Sequence, residues 1–329
     1  MNWTDIVGHV DNIKMLRYME SRGRMPHAVL LSGPRGIGKF MVARVLSTAL
    51  LCKAPESRPC GSCQSCLQMA NGTQPDFLNI GPDGANIKIE QIRNLQNEVA
   101  LAPYVSLRRV CIINEAELMT VQAANSLLKV LEEPVGDVVF ILIAANKQML
   151  LPTIISRCMA IEFQPLTDTV LTEALVDKGF LHDQSEVAAR LSRGRMGTAL
   201  SLLEPEGLAV RNQAVEIIQD LLEGSVRKVW DIATILEKME RKDILQLLGY
   251  FTYIMRDTLM IVTGQDRSFL FNVDLADWLS GHAGRWSEEH LLQGIRAVET
   301  AGRALNANAN ARLTGEALLI KIYDLVKEV

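Results

Sequence analysis

Long apolar runs are missing from this 329-residue chain. The longest, Val138–Ala145, spans eight residues, against the roughly 20 that a membrane-crossing helix needs. Aromatic residues are also few, at 8 Phe, 4 Trp and 5 Tyr, so the cores must be mainly aliphatic. Cysteine is scarce as well. Six cysteines are too few for a disulfide scaffold of this size, and four of them fall within fifteen residues, the clustering of a metal site in a reducing compartment. No block of single-sign charge exists. The net charge of −4 divides into +2 over residues 1–163 and −6 over residues 164–329. Neither half is a basic nucleic-acid-binding block, and any role with DNA is expected to be shared with partners. Asp5 and Asp11 stand where a signal peptide carries basic and then apolar residues, so secretion is not expected. What is present, 48% hydrophobic and 22% charged residues, excludes a disordered or fibrous chain. The expectation is a soluble cytoplasmic protein with no membrane segment.

The first 163 residues alternate short apolar runs with helical patterns, as a parallel sheet covered by helices requires. Strands are predicted at 27–32, 77–80, 109–113, 138–144 and 158–163, with helices at 89–101 and 121–133. After Pro165 the pattern is helical throughout. Thr167–Lys178, Gln184–Ser192 and Gly197–Leu203 suggest a small unit ending at Pro205. Beyond it, Ala214, Ile217, Ile218, Leu221 and Leu222 fit one helix face, and Ile244, Leu247, Leu248, Phe251, Ile254 and Met255 another. The Asn/Ala alternation at 306–311 reads as a loop. The fold class is therefore α/β followed by all-α.

Gly33-Pro34-Arg35-Gly36-Ile37-Gly38-Lys39-Phe40 follows an apolar strand and opens a helix, the context of a phosphate-binding loop. Glycines let backbone N–H groups close around phosphate oxygens, the helix N-terminus favours the anion, and Lys39 can reach the outer phosphates. The next position ordinarily carries a hydroxyl for Mg²⁺, and Phe40 has none. The matching acidic pair at a strand end is also incomplete. Val110–Ile113 leads into Asn114 and Glu115, so an amide replaces the metal-holding carboxylate. Gly33, Gly36, Gly38, Lys39 and Glu115 remain as nucleotide-site candidates, and the residues leave open whether ATP or ADP binds. The pattern reads as a phosphate loop that has given up hydrolysis.

Cys52, Cys60, Cys63 and Cys66 have the form C-x7-C-x2-C-x2-C. Four thiolates on a short knuckle can surround Zn²⁺ tetrahedrally, with no position left for water, so the site is expected to be structural. An iron–sulfur cluster is the rival, but no downstream Cys-Pro follows Cys66. Cys111 and Cys158 read as inert core residues. His9 and His27 lack metal spacing and read as surface or interface residues, and Arg22, Arg24, Arg108 and Arg109 as solvated charges. Arg157, alone, reads as an arginine at a strand start that pairs with a local carboxylate.

The loop, the knuckle after its helix, the run Ala124-Asn125-Ser126-Leu127-Leu128-Lys129-Val130-Leu131-Glu132-Glu133-Pro134 and the triplet Ser156-Arg157-Cys158 resemble one family. It is the gamma/tau/delta-prime family of bacterial DNA polymerase III clamp-loader subunits, of the AAA+ class. Ile6-Val7-Gly8-His9 and Pro26-His27-Ala28 match it too. The resemblance covers about residues 1–205 and thins beyond, where Arg312–Leu319 is similar to the last collar helix. It implies an AAA+ domain over residues 1–164 with the zinc knuckle at 52–66, a helical lid over 165–206 and a helical collar over 207–329. Within the family, Phe40 and Asn114 favour the delta-prime type, which does not hydrolyse ATP, over the gamma/tau motors. So does the run Gly194–Leu200, where the motor's sensor arginine would fall at Gly197, beside Arg195. The first sensor would align with Ala145, next to Asn146. Arg157 is then implied to be an arginine finger acting in trans on ATP held by a neighbouring motor subunit. The implied partners are gamma/tau and delta, and through the complex the sliding clamp and primer–template DNA. No intrinsic enzyme activity is expected from this component of the polymerase III holoenzyme. The rival readings are an ATP-hydrolysing motor and a free-standing zinc-bearing AAA+ repair or recombination protein.

Overall fold

The computed structural model describes residues 2–134, 136–224 and 226–327. Their backbone divides into two compact units: Met1–Ala174 with Arg193–Thr198, and Leu175–Ser192 with Ala199–Val329. Residues 165–174 and 193–198 fall in the first unit, and 175–192 and 199–206 in the second.

In the first unit, five parallel strands form one sheet: β1 (Ala28–Ser32), β2 (Phe77–Ile80), β3 (Arg109–Ile113), β4 (Val138–Ala144) and β5 (Met159–Glu162). Their spatial order is β2-β3-β4-β1-β5, with Val29 opposite Ile141 on one side and Met159 on the other. Every residue of β1, β3 and β4 is buried, because helices cover both sheet faces and the strands can be apolar throughout. Alternate side chains feed two cores. Val29, Leu31, Val110 and Ile112 join the side of α1 (Val10–Ser21) and α2 (Lys39–Leu51). Ala28, Leu30, Cys111 and Ile113 join that of α4 (Ile89–Val99) and α5 (Val121–Glu132). Between them in sequence lies α3 (Gln64–Asn71), and α6 (Pro152–Ile155) precedes β5. Since β1 lies inside the sheet, the loop at its carboxyl end opens at the crevice where open α/β sheets hold ligands.

Downstream of β5 no strand occurs among the described residues. The helices are α7 (Asp168–Asp177), α8 (His182–Ser192), α9 (Met196–Leu202), α10 (Ala209–Glu223), α11 (Val226–Lys238), α12 (Arg241–Val262), α13 (Ala276–His282), α14 (Glu288–Asn306) and α15 (Ala311–Lys327). In the second unit, α12 packs against α10 and α14, and α15 against α11 and α14. The predicted apolar faces of α10 and α12 are buried. Among the described residues no helix is long and apolar enough to cross a membrane.

Candidate functional site

The turn between β1 and α2 has the backbone of a phosphate loop. Gly33 holds φ at +143°, and a Cβ there would lie 2.3 Å from the Phe163 carbonyl oxygen, so only glycine fits. Gly38, at φ +99°, occupies the N-cap position of α2. The two cationic side chains of this turn are already engaged inside the protein. Lys39 is buried and donates from Nζ to the carbonyl oxygens of Gly33 (2.5 Å) and Pro34 (2.7 Å). Burial pulls its pKa down to about 8, against the opposing attraction of Glu117. Arg35 reaches across to Glu115 (3.4 Å) and Glu117 (3.8 Å), a cation beside the acids that follow β3. Glu117 also accepts from the amide of Ala145 at 3.1 Å. Phe40 is exposed, and the backbone N–H of Asn114 continues the sheet by donating to Ile80.

The two positions that the resemblance aligns with sensors carry Ala145 and Gly197. The backbone N–H of Gly197 donates to the Gly36 carbonyl at 2.8 Å. A Cβ at Gly197 would come within 3.3 Å of that oxygen, so a glycine lies flat on the loop. The Asn146 side chain caps its own short turn by accepting from the amide of Gln148. His9, expected at the surface or an interface, is half-buried. Its Nε2–H donates to the Ile37 carbonyl at 3.0 Å, and its ring meets Phe163 edge-on at 4.9 Å. Burial lowers its pKa, against the opposing pull of the Ile37 hydrogen bond. His27 is itself exposed, yet its Nε2 lies 3.0 Å from the Leu131 carbonyl.

The four cysteines converge past the other end of α2, which Cys52 terminates and which α3 follows, with Cys63 at its N-cap. All four sulfurs lie within 4.8 Å of one another, with Cys52–Cys63 and Cys60–Cys66 at 3.9 Å. A tetrahedron with Zn–S bonds of about 2.3 Å has sulfur edges of about 3.8 Å, so the set fits a tetrahedral thiolate-bound cation. The backbone N–H of Cys60 points at Cys52 Sγ (3.5 Å), and that of Cys63 at Cys60 Sγ (3.3 Å). Amides of Ser62 and Cys63 pull the Cys60 thiol down to about 6, whereas burial pushes Cys66 up to about 12. Cys111 and Cys158 lie outside the cluster, with burial raising their thiols to about 12 and about 11.

Arg157 lies between α6 and β5, far in sequence from the loop. Its NH1 donates to the Thr153 carbonyl (2.9 Å), and its NH2 pairs with Glu132 at the end of α5 (2.5 Å). The local carboxylate expected from the residues alone is therefore Glu132.

One polar residue with no signal in the sequence, and one placed otherwise than expected, complete this region. Asp76 is fully buried and accepts from the amides of Tyr104 (2.6 Å), Val105 (2.9 Å) and Ser106 (2.7 Å). Burial works to raise its pKa, but these amides outweigh it and hold the carboxyl below its usual range. The same loop touches the knuckle helix through Ser106 and Ser65, and Gln74 donates to Ser65. Arg109, expected to be a solvated charge, is only 1% exposed. It donates to the Ala102 carbonyl, pairs with Glu98 and lies under the Tyr104 ring. A charged residue opening an apolar strand was the available signal, but its burial depended on a loop that no local pattern describes.

Comparison with known proteins agrees with this geometry. Residues 8–167 match the family described as "DNA polymerase III, delta subunit", and residues 213–323 its C-terminal counterpart. DNA polymerase III subunit delta' of Bacillus subtilis (strain 168) is 30% identical over 319 residues, covering 95% of both chains. Its counterpart in Pseudomonas aeruginosa is 35% identical over 201 residues, 60% of this chain and 61% of that one. Subunit tau of Bacillus subtilis is 30% identical over 277 residues, 81% of this chain but 48% of tau. A DNA polymerase III gamma subunit-related protein from Thermotoga maritima superposes with a TM-score of 0.51 at 19% identity, covering 94% of this chain and 99% of that one, which shows the shared fold. With an AAA+ sheet, a phosphate-type turn and matches along nearly its whole length, the chain belongs to the DNA polymerase III clamp-loader family, on its delta-prime side.

Proposed function

We propose that this chain is the non-hydrolysing subunit of a DNA polymerase III clamp loader. It closes one end of the AAA+ ring in the cytoplasm and lends Arg157 to ATP bound by a neighbouring gamma/tau motor. With delta, the assembled ring then loads the sliding clamp on primed DNA. Residues 1–164, 165–206 and 207–329 act as AAA+ domain, lid and collar. The observation that carries the reading is the paired loss of metal-handling groups, Phe40 after Lys39 and Asn114 after β3. The engagement of Lys39 with its own loop and of Arg35 with Glu115 supports it. Gly33, Gly36 and Gly38 then serve to shape the turn, with Lys39 and Glu115 as remnants of the nucleotide site.

Cys52, Cys60, Cys63 and Cys66 hold a structural Zn²⁺, which would supply no chemistry beyond fixing the knuckle. Arg157 acts by its charge. A guanidinium supplied in trans stabilises the negative charge that develops on a transferred phosphoryl group. Reconstitution with the motor and delta subunits tests this. Arg157→Ala should depress DNA-stimulated ATPase activity while leaving assembly intact, and unchanged activity rejects the finger. Mg²⁺-dependent turnover by the purified chain alone, at about one per second, would make it a motor instead.

A further inference from the structure

We infer that Glu132 is a positioning residue for Arg157, fixing the guanidinium so that its remaining donors face outward; the inference rests on the trans-acting role proposed for Arg157. The pair joins two rigid supports. Glu132 is the last residue of α5, whose Leu127, Val130 and Leu131 are buried in the sheet's core. The chain before β1 braces that helix end, since His27 Nε2 donates to the Leu131 carbonyl at 3.0 Å. On the other side, Arg157 leaves α6 anchored by the fully buried Ile154. The amides of Ser156, Arg157 and Cys158 donate back to Pro152, Ile154 and Ile155.

Between these supports the side chain is held at two points. NH1 donates to the Thr153 carbonyl and NH2 pairs with Glu132 Oε1. A guanidinium carries five N–H donors in a planar fork. The two contacts therefore fix its plane and still leave donors for an oxyanion outside this chain. An unheld arginine loses rotamer freedom each time it docks, and a fixed one has already lost it. The Glu132 side chain is 47% exposed and that of Arg157 34%, so solvent screens the pair in part.

The alternative for the same contact is a latch, in which Glu132 competes with the phosphate. A third possibility is a brace between α5 and α6 with no bearing on catalysis. Steady-state ATPase assays of the reconstituted complex separate them, using Glu132→Ala and Glu132→Gln in Arg157 and Arg157→Ala backgrounds. Positioning predicts that Glu132→Ala lowers kcat about three- to tenfold with KM for ATP little changed, because only pre-organisation is lost. Glu132→Gln, which keeps the shape and an acceptor for NH2, should lose less. In the Arg157→Ala background neither substitution should have further effect. An unchanged kcat for Glu132→Ala overturns the inference, and a raised kcat replaces it with the latch. A drop of equal size in both backgrounds assigns the residue to the brace. If Arg157→Ala itself has no effect, the trans-acting role fails and Glu132 fails with it, an outcome distinct from the other three. Size-exclusion profiles of each complex show whether assembly is intact.

Discussion

The two ends of α2 treat their polar groups in opposite ways. At its amino end, the Gly33–Lys39 turn keeps a backbone suited to phosphate, but Lys39 and Arg35 are engaged by carbonyls and carboxylates of this chain. Past its carboxyl end, four thiols converge on one point with the spacing of a tetrahedral cation site. The backbone shape of the turn is needed whatever the loop binds, because it is also what joins β1 to α2.

Removing a thiol is the strongest test of this contrast. Cys63→Ser should abolish stoichiometric zinc, read by elemental analysis, and destabilise the α/β unit by more than about 3 kcal/mol in denaturant unfolding. The effect should spread through Ser65 to Ser106 and the loop that Asp76 holds. Hydrogen exchange at the amides of Tyr104, Val105 and Ser106 should quicken. Unaltered zinc content would erase the difference between the two ends of the helix.

Gly33→Ala is expected next in size, at about 2–3 kcal/mol of destabilisation, since it combines a strained φ with a backbone clash. Gly38→Ala, with positive φ but open space around the added methyl, should cost only about 1 kcal/mol. Equal costs at the two positions would mean that packing against Phe163 does not shape the turn.

The charge on Lys39 sharpens the contrast through pH. Its folded-state pKa of about 8 lies below the ordinary 10.5. Below pH 8 both folded and unfolded chains hold the proton, and the burial cost is present in full. Between about 8 and 10.5 the unfolded chain binds the extra proton, so stability rises with pH, by at most about 1.4 kcal/mol per unit. Urea unfolding across this window should show that slope in the wild type and lack it in Lys39→Met. The same slope in both proteins would place its origin elsewhere.

The fold was legible because its signals are local. Apolar runs marked the strands to within a residue, and helical periodicity placed α4, α5, α10 and α12. The cysteine spacing marked the knuckle. The rest depends on tertiary contacts that carry no spacing: Arg35 with Glu115, Gly197 on Gly36, Arg157 with Glu132, and Asp76 under a loop some 28 residues downstream. The burial of Arg109 has the same origin. A buried charge at a strand start resembles a solvated one until its loop partners are known.

The smallest expected effect belongs to Arg35→Ala. The guanidinium is 60% exposed and stands 3.4 Å and 3.8 Å from its two carboxylates, so solvent and salt screen both contacts. Stability should change by less than about 1 kcal/mol. Its value lies in what else stays constant. If Arg35 merely neutralises acids left over from a metal site, removing it uncovers Glu115 and Glu117 but restores neither a hydroxyl at position 40 nor a carboxylate at position 114. The variant should therefore remain without Mg²⁺-dependent ATP turnover in a phosphate-release assay. Turnover appearing in Arg35→Ala would mean that this arginine, and not the loss of two metal ligands, silences the loop. The amino end of α2 would then be a restrained site instead of a spent one.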